Sequence, residues 1–207
     1  PLIGEEGQEK ISQIRVLQIG AGGLGSPCAY YLVAAGIKEL TIVDNDIVSL
    51  SNLQRQILYN ETHIGKDKAS VAKSVLSRLN SKVEIKTYKD LVDDESIEKY
   101  VNNQDFIIDC SDNLKTKFLV NRTALKHKMQ CIIAGIKDFY GQIINIKPKK
   151  TACYQCIFNE PMEEQENQKP LPVIGVTPGI LGTLEALEVI KTALGLPNLE
   201  NKIMFLE

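Results

Sequence analysis

Residues 15–19 read Arg-Val-Leu-Gln-Ile and run directly into Gly20-Ala21-Gly22-Gly23-Leu24-Gly25. A short apolar run bounded by glycine reads as a buried parallel strand. The sequence G-x-G-x-x-G between a strand and a helix is a phosphate turn, because the helix N-terminus offers free N–H groups to an anion. Gly20 permits the tight turn, Gly22 lets the backbone approach phosphate, and Gly25 lets the helix pack against the strand. Gly23 lies in the same turn and is counted with them. The plain alternative is a tight strand–helix turn that binds nothing.

The rest of the chain continues this alternation. The pattern predicts a helix over 24–35, with Ser26 and Pro27 near its start, where proline is tolerated. A strand follows over 39–43, then an amphipathic helix over 66–79 with Val71, Val75 and Leu79 on one stripe. Further strands are expected at 83–88, 106–109, 131–134 and 141–146, and further helices at 94–102 (the weakest), 114–128 and 179–194. Strands alternating with helices imply right-handed crossovers. The expected fold is α/β: a Rossmann-like, mostly parallel sheet with helices on both faces and a few antiparallel strands towards the C-terminal part. Residues 147–172 contain Pro148, Pro161, Pro170 and Pro172 around an acidic, Gln-rich centre. They read as a long crossover loop, of the kind that is functional or disordered in a compact domain. One domain, 1–207, accounts for the whole, with no internal repeat. The chain begins at Pro1 and stops inside an apolar run at 203–206, so both ends are expected to be cut.

Composition removes several function classes. The formal net charge is -2 with no long basic run, so a nucleic-acid surface is not expected. No apolar stretch approaches membrane-spanning length, and no signal peptide is visible. Five cysteines, an odd number, argue for a reducing, cytoplasmic setting rather than a disulfide framework. His63 and His127 lack a metal-ligand partner in sequence and read as surface or helix-end residues.

The chemistry-bearing positions follow the glycine turn. Asp44 ends the second expected strand, where a carboxylate can accept both ribose hydroxyls; a solvated strand-end aspartate is the alternative. Asp46 beside it reads as a residue that orients a neighbour. The run Ser51-Asn52-Leu53-Gln54-Arg55-Gln56 comes next, with Lys68 beyond it. Arg55 can clamp phosphate oxygens bidentately and Lys68 adds a point charge; Asn52 and Gln56 add neutral donors. Both cations are also compatible with ordinary exposed helix positions. A dinucleotide needs no such grip, so this set favours ATP over NAD. Asp109-Cys110-Ser111-Asp112-Asn113 closes the fourth expected strand. Asp112 there can hold Mg²⁺ together with substrate phosphates, or Asp112 or Asn113 can cap the following helix.

Taken together, these segments resemble the ubiquitin-activating-enzyme-like adenylyltransferases, the MoeB/ThiF/HesA family, most nearly its MoeB-type members. The glycine turn, Asp44, the Ser51–Gln56 run, Lys68, residues 109–113, Cys153 and Cys156, and residues 182–188 all fall in the family order. The resemblance implies adenylation, with Mg·ATP, of the C-terminal glycine of a small ubiquitin-like carrier protein ending in Gly-Gly. It makes Asp44 the ribose ligand, Asn52, Arg55 and Lys68 the phosphate ligands, and Asp112 the Mg²⁺ ligand. Arg55, Lys68 and Asp112 are then the catalytic residues, while Gln56 lines the pocket. It also implies a homodimer and an Arg-rich segment ahead of Pro1. Two rivals stand beside this reading: an NAD-dependent oxidoreductase, which leaves Arg55, Lys68 and Asp112 unexplained, and a non-catalytic member of the same fold.

Cys153-Tyr154-Gln155-Cys156 is half of a Cys₄ zinc site, since thiolates at this spacing can share one tetrahedral ion; a free or disulfide-prone pair is the alternative. The family's second C-x-x-C lies nearer the C-terminus than this chain extends. Residues 166–170 carry no cysteine where some relatives have one, which implies adenylation without thioester or sulfur chemistry on this chain. Cys28, Cys110 and Cys131 read as small core hydrophobes.

Overall fold

β1 (Arg15–Ile19) is buried from Val16 to Ile19, as an apolar run without polar alternation requires when both faces of a parallel strand are covered. The computed structural model describes residues 3–160 and 173–207. Within them α1 (Gly4–Ile11) precedes β1, and then come α2 (Gly25–Ala35), β2 (Glu39–Val43), α3 (Lys68–Leu79), β3 (Glu84–Tyr88), β4 (Phe106–Asp109) and α4 (Leu114–His127). β5 (Gln130–Lys137), β6 (Tyr140–Ile146), α5 (Tyr154–Ile157), α6 (Val176–Ala193) and β7 (Ile203–Leu206) complete the order.

The seven strands form one sheet in the order β3-β2-β1-β4-β5-β6-β7. β1 pairs in parallel with β2 on one side and β4 on the other, and β5 is parallel to β4. β6 pairs antiparallel with β5, and β7 antiparallel with β6. This is the expected Rossmann-like class, antiparallel C-terminal part included. Two cores flank the sheet. Val16, Leu40, Ile42 and Ile108 pack with Leu32 of α2, Leu76 of α3 and Leu181 and Val189 of α6. Leu17, Ile19, Ile107 and Ile133 pack with Phe118 and Val120 of α4 and with Tyr154 of α5.

Several boundaries differ from the expectation. The weak helix at 94–102 is a single 3₁₀ turn, Ser96–Lys99, ahead of which Asp93 accepts the N–H groups of Glu95 and Ser96; such local bonding competes with helical pairing and delays the start. The strand at 131–134 extends to Lys137, because Asp138 takes φ +55° and turns the chain directly into β6. Inside the expected loop, residues 154–157 form α5, so 147–160 is not structureless; its remainder, 161–172, including the cysteine-free 166–170, lies outside the described residues. No helix among the described residues is long and apolar enough to cross a membrane.

The small residues of α6 divide in role. A Cβ on Gly182 would lie 2.1 Å from the carbonyl oxygen of Leu24, and one on Gly175 would lie 2.1 Å from that of Gln54. These two positions bring α6 hard against α2 and against the 51–56 run. Gly179 has open space around it, so it is not a packing glycine.

Candidate functional site

β1 and β4 lie side by side at the centre of the sheet. The chain leaves β1 towards α2 on one face and leaves β4 towards α4 on the other, and this reversal opens a crevice at the strands' carboxyl ends. The glycine turn occupies one lip. Gly20 has φ +96°, and a Cβ there would lie 2.8 Å from the carbonyl oxygen of Cys110; one on Gly25 would lie 2.2 Å from that of Gly20. Neither position has room for a side chain. Gly22 faces only Gln56 Nε2 at 3.5 Å, and Gly23 faces Pro178 and the Cγ of Arg55.

Buried side chains pin this turn. Ala21 donates its N–H to Asp44 Oδ2 at 2.7 Å and accepts from the Tyr59 hydroxyl at 2.9 Å. Gln18 donates to the carbonyl oxygens of Gly20 at 2.8 Å and Gly25 at 3.1 Å. The N–H groups of Gly22, Gly23 and Leu24 meet no acceptor among the described residues. They are what a phosphate would find there.

Asp44 sits at the end of β2, where burial pushes its carboxyl above the usual range while Lys68 and two backbone N–H groups oppose the shift. Burial, reinforced by Asp44 and Asp46, pushes the Tyr59 hydroxyl far up, so it remains a neutral donor. Asp46 holds Lys68 at 2.8 Å, and Lys68 itself is buried. Asp46 therefore does orient a neighbour, and Lys68 is a neutralised cation rather than an exposed one. Arg55 is half-buried beside Gly23, donating to the carbonyl oxygen of Ser51 at 3.0 Å. Gln56 is buried, its Oε1 unpartnered among the described residues. Asn52 joins the group through its carbonyl oxygen, which accepts the N–H of both Arg55 and Gln56.

On the other lip, Asn113 caps α4, its Oδ1 accepting from Thr116 N at 2.8 Å. That assigns the cap to Asn113 and leaves Asp112 exposed, with no hydrogen bond or ion pair among the described residues. No hydrogen bond or ion pair joins Asp112 to the Asp44–Lys68 group among the described residues. Beneath it, Asp109 and Lys117 form a buried pair at 2.5 Å. Sequence reasoning missed Lys117, Tyr59 and Gln18; of these only Gln18 left a signal, as a polar residue inside an otherwise apolar strand.

The donor set fits a nucleotide: free backbone N–H groups, an unfilled amide oxygen, a strand-end carboxylate and two cations. It contains no activated nucleophile. His63 Nδ1 accepts from Asn60 N, and His127 lies against Glu98. Cys28, Cys110 and Cys131 are buried, with thiols pushed up by that burial, so they behave as core residues. The sulfurs of Cys153 and Cys156 lie 3.4 Å apart, close enough to share one tetrahedral ion as half of its ligands; no second pair accompanies them among the described residues.

A family model described as "ThiF family" matches residues 1–207. "Adenylyltransferase and sulfurtransferase MOCS3" of Xenopus laevis is 39% identical over 198 residues, covering 95% of this chain and 44% of the relative. "Sulfur carrier protein ThiS adenylyltransferase" of Escherichia coli K12 is 35% identical over 195 residues, covering 94% of this chain and 78% of the relative. The chain thus spans less than half the length of the MOCS3 relatives and most of the ThiS enzyme. Among solved structures, E. coli MccB with ATP superposes with a TM-score of 0.86 at 26% identity, over 96% of this chain and 61% of that one.

Proposed function

The chain belongs to the ThiF family, and on that premise we propose that it is an ATP- and Mg²⁺-dependent adenylyltransferase. Its substrate in this reading is the C-terminal glycine of a small ubiquitin-like sulfur-carrier protein ending in Gly-Gly. The observation that carries the reading is the gathering of Asp44, Arg55, Gln56 and the Asp46–Lys68 pair around a glycine turn with three unused N–H groups.

The carrier's carboxylate oxygen attacks the α-phosphorus of ATP, forming the acyl–phosphate bond as the bond to the bridging oxygen breaks and pyrophosphate leaves. An anion attacking a polyanion needs preorganised positive charge and alignment more than a base. Asp44 would accept the ribose hydroxyls. The glycine turn, Asn52 and Arg55 would hold the phosphates, and Lys68 would exchange Asp46 for a phosphate oxygen. Gln56 lines the same wall. The unpartnered carboxylate of Asp112 would hold Mg²⁺, whose chemistry is neutralisation of phosphate charge. Cys153 and Cys156 would give half of a structural Zn²⁺ site. The domain is proposed to act as one adenylation unit over 1–207, cytoplasmic and homodimeric, with 147–172 as the crossover that admits the carrier's tail.

Exchange of radiolabelled pyrophosphate into ATP, with and without a Gly-Gly-ending carrier, tests this. Carrier-dependent exchange and a carrier–AMP adduct by mass are expected. Absence of both, together with a melting point raised by NAD and not by Mg·ATP, sinks the reading in favour of an oxidoreductase; absence of both with neither ligand bound points to a non-catalytic fold member.

A further inference from the structure

Asp112 has nothing of its own to hold it: it is exposed and unpaired among the described residues. Its place depends on its two neighbours. Asn113 is fixed by capping α4. Ser111 is fixed from the opposite side, and there the agent is Lys117, the residue next to Thr116, whose N–H the cap holds. Lys117 Nζ donates to the Ser111 carbonyl oxygen at 2.9 Å, to Asp109 Oδ2 at 2.5 Å and to the Ala134 carbonyl oxygen on β5 at 2.6 Å. An ammonium has three protons, and all three are used. Ser111 Oγ closes the arrangement by donating to Asp109 Oδ1 at 2.6 Å. Asp109 is wholly buried and Lys117 is 5% exposed.

We propose that Lys117 is a positioning residue that locks the turn after β4, so that the Asp112 carboxylate is presented to the crevice as a preformed half of a divalent-cation site. This rests on the adenylyltransferase reading for the cation's use. A structural role accounts for the Asp109 pair and for three satisfied protons on a buried ammonium. The bond to the Ser111 carbonyl adds nothing to charge balance in the core, yet it is the one that reaches the turn carrying Asp112. Mg²⁺ binds through few protein ligands and demands near-ideal geometry, so a carboxylate free to wander binds it poorly.

The test uses Mn²⁺ as the probe, with α,β-methylene-ATP, and counts bound Mn²⁺ by electron paramagnetic resonance. The variants are Lys117→Met and the double variant Asp109→Asn/Lys117→Met. The double variant removes both charges together and so avoids stranding a buried carboxylate. At least tenfold weaker Mn²⁺ binding is expected in both, with nucleotide affinity in the absence of metal within twofold of the parent. The half-saturating Mg²⁺ for pyrophosphate exchange should rise in step, with turnover at saturating Mg²⁺ largely restored. A folded double variant that binds Mn²⁺ as the parent does overturns the proposal, as does failure of both variants to fold, which makes the pair a determinant of the fold alone. A parent protein that binds Mn²⁺ with the analogue but exchanges no pyrophosphate removes the enzymatic reading and leaves the positioning claim standing; a parent that binds no Mn²⁺ removes the claim itself.

Discussion

Lys68 Nζ lies 2.8 Å from Asp46 Oδ2, with the lysine buried and the aspartate largely in solvent. The cation closest to the glycine turn's acidic strand end is therefore already spoken for before any ligand arrives. Removing the carboxylate should free it. Asp46→Asn is expected to tighten binding of inorganic tripolyphosphate about fivefold, the size of one unit-charge interaction of ~1 kcal/mol across water. Isothermal calorimetry at low salt measures it; unchanged or weaker affinity would show that Lys68 does not face the phosphates.

Among the described residues Arg55 makes one side-chain hydrogen bond, to the carbonyl oxygen of Ser51 on its own turn. Its loss should hardly touch the fold. Arg55→Ala is expected to lower pyrophosphate exchange at least a hundredfold, on the order of 3 kcal/mol of transition-state stabilisation. The melting point should move by only about 2 °C. An undiminished exchange rate would remove its phosphate role.

Glu185 on α6 is wholly buried, accepting from the Cys110 thiol at 3.3 Å while its Oε1 finds no partner among the described residues. Burial, with Asp109 adding to it, pushes this carboxyl well above the ordinary value of 4.5. A raised native pKa means that the folded state keeps its proton longer than the unfolded one. The stabilisation is complete below the ordinary carboxylate pKa and is lost as pH rises through the native one. Glu185→Gln removes that titration, so it should raise the melting point, and by more at pH 8 than at pH 5. Each pH unit inside the window is worth ~1.4 kcal/mol, or several degrees for a domain of this size. Parallel melting curves for the two proteins would contradict the assignment.

Gly182 and Gly179 stand on the same helix with opposite surroundings. Gly182→Ala must displace the backbone at Leu24, and is expected to cost on the order of 2 kcal/mol or more, as overpacking does. Gly179→Ala meets nothing and should gain about 0.5–1 kcal/mol from helix propensity. Chemical denaturation of both reads the sign of each.

Much of the fold was legible because parallel strands covered on both faces leave uninterrupted apolar runs. β2 and β4 fall where the pattern places them, and the glycine turn identified the crevice. α1 escaped because Gly4 and Gly7 weaken its helical signature, and β7 because its four residues gain meaning only against β6. At the site, residue types with dedicated chemistry stood out one by one as candidates: Asp44, Arg55, Lys68 and Asp112. Their relationships could not. That Asp46 neutralises Lys68, that Tyr59 reaches the carbonyl of Ala21, or that Lys117 lies under Asp112 depends on strands brought together from distant parts of the chain. Three-dimensional pairing also settled the cap, which composition left open between Asp112 and Asn113.

The crevice has one lip from the first fifth of the chain and the other from its midpoint. Arg15 at the start of β1 donates to Asp105, ninety residues later, at the entrance to β4, and Gly20 seats against Cys110. Neither lip exists as a binding surface until the central seam of the sheet has zipped. A newly made or refolding chain is therefore blind to nucleotide until β1 and β4 have paired. Ligand uptake then works as a headcount of molecules whose central seam has closed, and it separates them from collapsed chains with the same helix content.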